Sequence, residues 1–198
     1  AATTAAAAAS AKDSNNSINY DVHAFYYGWY GSPAFDPDKA GWVHWNHPFL
    51  EHWDRAVASR YPGKDRRHDP SRGDLGSDFW PQLGPYASAS PAVLRQHVNW
   101  AAAAGVGVLV LSWYPPGKAD ENGRPSDPLV APLLNACHEK GVKVALHVEP
   151  YKGRSADSVR DDLAYAVGKY GSHPAFHRMH RRTGEALASA TTTTTSSS

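Results

Sequence analysis

The sequence is short of sulfur, with one cysteine and one methionine, Cys137 and Met179, in 198 residues. A lone thiol excludes an internal disulfide framework and a cysteine-built zinc site. It leaves the redox compartment open, because a large enough core needs no disulfide staples. Surplus charge is lacking too: 20 Lys and Arg face 19 Asp and Glu, for a formal net charge of +1. That leaves no broad basic surface for duplex nucleic acid, so no nucleic-acid partner is expected. Long apolar runs are also missing. The stretch 99–114 falls short of the roughly 20 residues a spanning helix needs, and Gly105 and Gly107 interrupt it, so no transmembrane segment is expected. The first ten residues are Ala, Thr and Ser without a basic start, which is no signal peptide, and any targeting element is expected outside this sequence.

Several motifs are absent as well. GVGVLV caps a helix and runs into a strand, so it is not the GxGxxG that cradles a phosphate, and no GxSxG elbow occurs. His44, His47 and His52, with Asp54 near by, match no zinc spacing, and Pro48 prevents one helix from carrying them. No metal and no other cofactor is expected.

Aromatic residues, by contrast, are concentrated. There are 7 Trp, 10 Tyr and 5 Phe, and half of them lie between Tyr20 and Trp53. Residues 1–18, rich in Ala, Thr, Ser and Asn, and the Thr/Ser tail 189–198 cannot offset their ordering entropy by burial and are expected to be disordered. Between them, 19–188 reads as one unit. Val22–Tyr27, Val106–Leu111 and Val142–Val148 are runs of strand length. Ser90-Pro91 and Asp127-Pro128 open helices that Gly105 and Gly141 close. Ser155 opens a third, with Val159, Leu163, Val167 and Tyr170 along one face. The second and third runs start 36 residues apart with a helix between them, the spacing of a right-handed βαβ unit with parallel strands. The class is α/β. The Pro-, Gly- and His-rich segment 31–85 is too long for an ordinary connection, which points to function.

Parallel α/β folds place their sites at the carboxyl ends of the strands. Those ends here are Tyr26-Tyr27-Gly28-Trp29-Tyr30, Ser112-Trp113-Tyr114 and His147-Val148-Glu149-Pro150-Tyr151. Flat aromatics beside an acid suit a sugar, with its apolar C–H faces and ring of hydroxyls. They could equally cap a core. Glu149 reads as an acceptor for a substrate hydroxyl. A catalytic role would need a second carboxylate about 5–10 Å away. Asp120 and Glu121 lie in a DENG turn, whose chemistry predicts a solvated surface loop.

HAFYYGWYGSPAFD, VHWNHP, GSDFWPQLGPYAS, GVLVLSWYPP, DENGRPSD and HVEPY, in that order, resemble glycoside hydrolase family 99, over about Tyr20 to Leu187. The resemblance implies a (β/α)₈ TIM barrel, here a partial barrel of about three β/α units with a long loop after the first strand. It implies a retaining endo-α-1,2-mannosidase that acts on (glucosylated) mannose of N-glycans, uses the substrate's 2-hydroxyl as nucleophile and needs no metal. It also implies a place in the Golgi lumen or membrane. The implied substrate-binding residues are Tyr27, Tyr30, His44, Trp45, Asn46, Trp113, Tyr114, Glu149 and Tyr151. The partner is a mannose-containing oligosaccharide or N-glycan, and the chain is expected to be a monomer.

The family's FNEWHEG-type segment, which carries its acid and base, has no counterpart here, so no catalytic residue is assigned. A non-catalytic mannose-binding module and a non-functional fragment remain as alternatives. In either sugar-binding reading, Tyr27, Trp113, Glu149 and Tyr151 should meet at one sheet edge, with Trp45 and Asn46 within reach of Glu149.

Overall fold

A computed structural model describes residues 17–35, 41–48 and 67–179. The expected disordered tail, nearly all of the expected disordered start, and His52 and Asp54 lie outside these residues. Three parallel strands form one sheet in chain order: β1 (Asn19–Tyr26), β2 (Val106–Trp113) and β3 (Lys143–Val148). Helices α1 (Pro91–Ala103), α2 (Asp127–Lys140) and α3 (Ala156–Tyr170) follow the strands. The repeated strand–helix unit and the rolled sheet make this a partial (β/α)₈ barrel.

The helix ends follow from local chemistry. Pro91 sits at the first helical turn of α1, where its missing N–H costs nothing. Gly141 stops α2 with φ 75°, a left-handed turn that a side chain resists. Ser155 and Ser158 close a reciprocal capping box on α3. There the expected apolar face is corrected. Ala166 and Tyr170 are buried in the core, whereas Leu163 and Val167 point outward, on a side of α3 that no described element covers.

The pleat divides the strands. Leu109, Leu111 and Trp113 of β2 and Val144 of β3 face the helices and share a core with Leu94, Val98, Val130, Leu133, Leu134 and Cys137. Fully burying each large aliphatic side chain there contributes about 1.5–3 kcal/mol. The opposite face carries His23, Phe25, Val108, Val110, Ala145 and His147, matched across the strands by register.

This inner face is concave. His23 of β1 meets His177, beyond β3, with ring centroids 5.2 Å apart. His177 belongs to a segment that starts a fourth parallel line: Val144 donates to Ala175 O at 2.8 Å, and His177 donates to Val144 O at 2.8 Å. No helix among the described residues is long and apolar enough to cross a membrane.

Candidate functional site

The carboxyl edge of the inner face gathers its groups from three loops. Glu149 follows β3, and its backbone N–H donates to Trp113 O at 3.0 Å, which fixes where the side chain starts. Its Oε1 accepts from Ser112 Oγ at 2.7 Å and lies 3.2 Å from His147 Nδ1. The side chain is only 16% exposed. Ser112 reaches it because β2 runs two residues beyond the expected end, so the pleat turns Ser112 inward and Trp113 outward.

Tyr27 lies one position past the Tyr26–Leu111 pair, level with Ser112. Its ring opens a stacked ladder: Tyr27 on Trp29 at 4.5 Å and Trp29 on His44 at 4.4 Å. Phe25 extends it downward, 6.4 Å from Tyr27, and meets His147 edge-on at 5.3 Å. The Trp29 indole N–H is buried without a hydrogen-bond partner among the described residues, and Trp29 lines a narrow recess with Ser112, Tyr114, Asp120 and Ser126.

His44 terminates the ladder. Its φ of 61° is left-handed, a conformation that costs a residue with a side chain of order 1 kcal/mol or more. Contacts on two sides hold it there: the Trp29 stack, and a bond of 2.8 Å from Nε2 to Asp120 Oδ2. Asp120 is a correction to the expected solvated turn. Its carboxylate is buried and accepts from the backbone N–H groups of Asn122 and Arg124 at 2.9 and 2.8 Å. Burial opposes its charge, but the bonds from His44, Arg124 and Asn122 outweigh burial and hold the carboxyl below its ordinary range. Tyr114, following β2, is raised by burial and then by the negative charges of Glu149, Glu121 and Asp120.

The other residues marked in the sequence are placed differently. Trp113 is sealed in the core, its Nε1 donating to Asp127 Oδ1 at 3.1 Å and its ring stacked toward Tyr165. It does not border the open edge, and the two-residue extension of β2 is the reason. Trp45 is buried against Tyr30 at 4.1 Å and donates to Tyr86 O at 2.7 Å. Tyr30, Trp45 and Tyr86 form a knot that pins the long loop to the residues before α1. Asn46 O accepts from Arg67 at 3.4 Å. These hydrogen bonds of Trp45 and Asn46 run within that loop region.

Tyr151 bonds Ser158 Oγ at 2.8 Å and also Asp162, which raises its phenol, while Lys118 lies 5.0 Å over the ring. It ties the loop after β3 to α3. The sequence reading gave Ser112 and Trp29 no role at the site and took Asp120 for a solvated turn residue. Carrying the two-residue alternation of β2 onward would have found Ser112, and the two-residue step from Tyr27 would have found Trp29. Among the described residues no group of three or more His, Cys, Asp or Glu is placed to hold a metal ion.

A family model described as glycosyl hydrolase family 99 matches residues 17–187. The chain is 48% identical over 170 residues to glycoprotein endo-alpha-1,2-mannosidase of Rattus norvegicus, covering 86% of this chain and 36% of that protein. It is 48% identical over 167 residues to glycoprotein endo-alpha-1,2-mannosidase-like protein of Homo sapiens, covering 84% of this chain and 35% of the relative. The chain thus spans about a third of the length of these relatives, at their N-terminal part. The solved GH99 endo-alpha-mannosidase from Bacteroides thetaiotaomicron superposes with a TM-score of 0.67 at 33% identity, over 83% of this chain and 44% of that one. Sequence match along nearly the whole described fold and a shared backbone lead to one conclusion: the chain belongs to glycosyl hydrolase family 99.

Proposed function

We propose that this chain carries one wall of the sugar site of an endo-α-1,2-mannosidase, engaging α-1,2-linked mannose of an N-glycan without cleaving it alone. The observation that carries this reading is Glu149: a carboxylate at the inner carboxyl edge, held through Oε1 by Ser112 beside the Tyr27–Trp29–His44 ladder. Oε2 has no hydrogen bond among the described residues, which suits it to accept from a mannose hydroxyl. Tyr27 offers a half-exposed ring to a sugar C–H face. Tyr114 flanks Glu149. In the same reading Tyr30, His44, Trp45, Asn46, Trp113 and Tyr151 serve the site by holding its loops.

Retaining hydrolysis needs two carboxyl groups at a fixed separation. Asp120 is committed to His44 and its own turn, and Glu121, the other acid whose charge reaches Tyr114, is exposed and held by no hydrogen bond among the described residues, so this wall fixes no second carboxylate opposite Glu149. The relatives' names, glycoprotein endo-alpha-1,2-mannosidase and its like protein, favour a protein-linked glycan as the substrate, and the motif resemblance to the family favours a place in the Golgi lumen.

Titrating the chain with α-1,2-mannobiose, read by tryptophan fluorescence and NMR shifts, tests the reading. Binding of about millimolar strength is expected, as befits an isolated wall. Glu149→Gln and Tyr27→Ala should each weaken it while the fold persists. Unchanged affinity in both variants would refute the sugar wall. Mannose-unit release by the pure chain, abolished in Glu149→Gln, would refute its inactivity.

A further inference from the structure

The turn that follows α3 has a histidine at each end. The His173 N–H donates to Tyr170 O and the Phe176 N–H to His173 O, each at 2.9 Å, which draws the chain into a tight turn. The turn lays Ala175–His177 along β3: the Val144 N–H donates to Ala175 O and the His177 N–H to Val144 O, both at 2.8 Å. Lys143 Nζ adds a bond to Pro174 O at 2.9 Å. Ala175 is buried and Phe176 packs on the core, so the segment is seated as well as bonded.

The bonds of His173 fix its protonation state. The Ala175 N–H donates to His173 Nδ1 at 3.1 Å, so that nitrogen carries no proton. Nε2 then holds the ring proton and donates to Asn135 Oδ1 of α2 at 3.1 Å. The neutral ring meets His138 of α2 edge to face, with centroids 5.9 Å apart. A proton on Nδ1 would set two donors against each other and strand the N–H of a buried residue. At the other end of the segment, His177 meets His23 of β1 in the same manner at 5.2 Å. Burial and then His138 make His173 harder to protonate, and burial, His23 and Lys143 do the same for His177. Every titratable group bearing on the two rings among the described residues is a base, so an added proton meets like charge.

We propose that residues 173–177 form an acid-sensitive latch on β3: with His173 and His177 neutral the segment lies along the strand, and with both protonated it lets go. The strand it grips leads into Glu149, so the latch bears on the foot of the sugar wall. Both rings resist a proton in the folded chain. The latch is therefore complete above the ordinary histidine value of 6.5 and weakens as pH falls below it. That window lies above the one in which Asp120 and Asp127 take up protons, so the two acid responses are separable. The inference stands on the turn itself and holds whether or not the inner edge binds a sugar.

Hydrogen exchange at single amides of the full 198-residue chain, followed by NMR at about pH 7.5 and about pH 5, tests the latch. The Val144 and His177 amides make the two bonds between the segment and β3. Their protection factors should fall about fivefold or more at the acid pH, the scale of one stranded buried N–H. Amides of β2 should change by less than about twofold. His173→Asn keeps an acceptor for the Ala175 N–H, as in an Asx turn, and has no titrating group. His177→Phe keeps a ring against His23 without a charge. The double variant should hold its protection at both pH values. The imidazole proton shifts of the parent give a second readout that needs no variant: His173 and His177 should both titrate below 6.5. Equal protection at the two pH values, an acid fall that survives in the double variant, a fall of the same size throughout β2, or titration of either ring at or above 6.5 would each overturn the proposal.

Discussion

At the scale of single residues, Asp127 binds the elements together more than any other side chain. Its Oδ1 accepts from Trp113 Nε1 at 3.1 Å and Tyr170 Oη at 2.8 Å, and its Oδ2 from Tyr165 Oη at 2.9 Å and Lys169 Nζ at 3.1 Å. One carboxylate thus joins β2, α2 and α3. Asp127→Ala would strand buried donors at about 1–3 kcal/mol each, so a loss of about 2–4 kcal/mol in urea unfolding is expected. The same bonds outweigh burial and hold the Asp127 carboxyl below its ordinary value of 3.8, as those around Asp120 do there. Their stabilisation is therefore complete above that value and is lost as pH falls through the lower, folded-state values. Unfolding free energy should show no loss from these groups between pH 7 and about pH 5, then fall below about pH 4, with a shallower fall in Asp120→Asn. Cys137 offers a second probe: it is buried, and burial pushes its thiol up to about 12. A thiol reagent at pH 8 should label it only as fast as the chain opens. The sequence disclosed these roles unevenly. Glu149 could be singled out from its place after a strand. Asp120 could not, because a DENG turn reads as solvated until His44, 76 residues away, is seen to close on it.

At the scale of elements, the strands and helices were legible because their boundaries are written in Pro and Gly, and the parallel order followed from spacing. Two points were not legible. The extension of β2 through Trp113 depends on pairing with β3, where Ser112 and His147, then Trp113 and Val148, are partners, and a long-range pairing leaves no local mark. The exposure of Leu163 and Val167 depends on which flank of α3 has a neighbour, which the helical period alone cannot say. The start of the sheet is equally a matter of contact. A Cβ on Gly107 would sit 2.2 Å from Asn19 O and 2.5 Å from Tyr20 Cα, both backbone atoms. Gly107→Ala should therefore push β1 away at its first residues, at a cost of about 1–3 kcal/mol or more. Faster hydrogen exchange at the Asn19 amide, which donates to Gly105 O at 2.9 Å, would report it. Unchanged exchange there would mean that β1 can yield without losing the pairing.

At the scale of the whole molecule, the sheet of the described residues is folded but leaves apolar surface open. Phe25 is 62% exposed on the concave face, and Trp80 and Trp100 are exposed elsewhere. The chain should bind an anilinonaphthalene dye while keeping the near-ultraviolet dichroism of a packed core, a combination that a molten globule does not show. Phe25→Ser should lower the dye signal without moving the melting temperature appreciably. The strand order has a further consequence. Because β1, β2 and β3 are neighbours in the order in which they occur, each strand as it leaves the ribosome finds its partner already made. The Ala175–His177 line, seated on Val144, adds a further parallel neighbour to β3. Assembly can therefore keep pace with synthesis, growing the barrel wall stave by stave, and the edge left for the next stave is at each moment the youngest one.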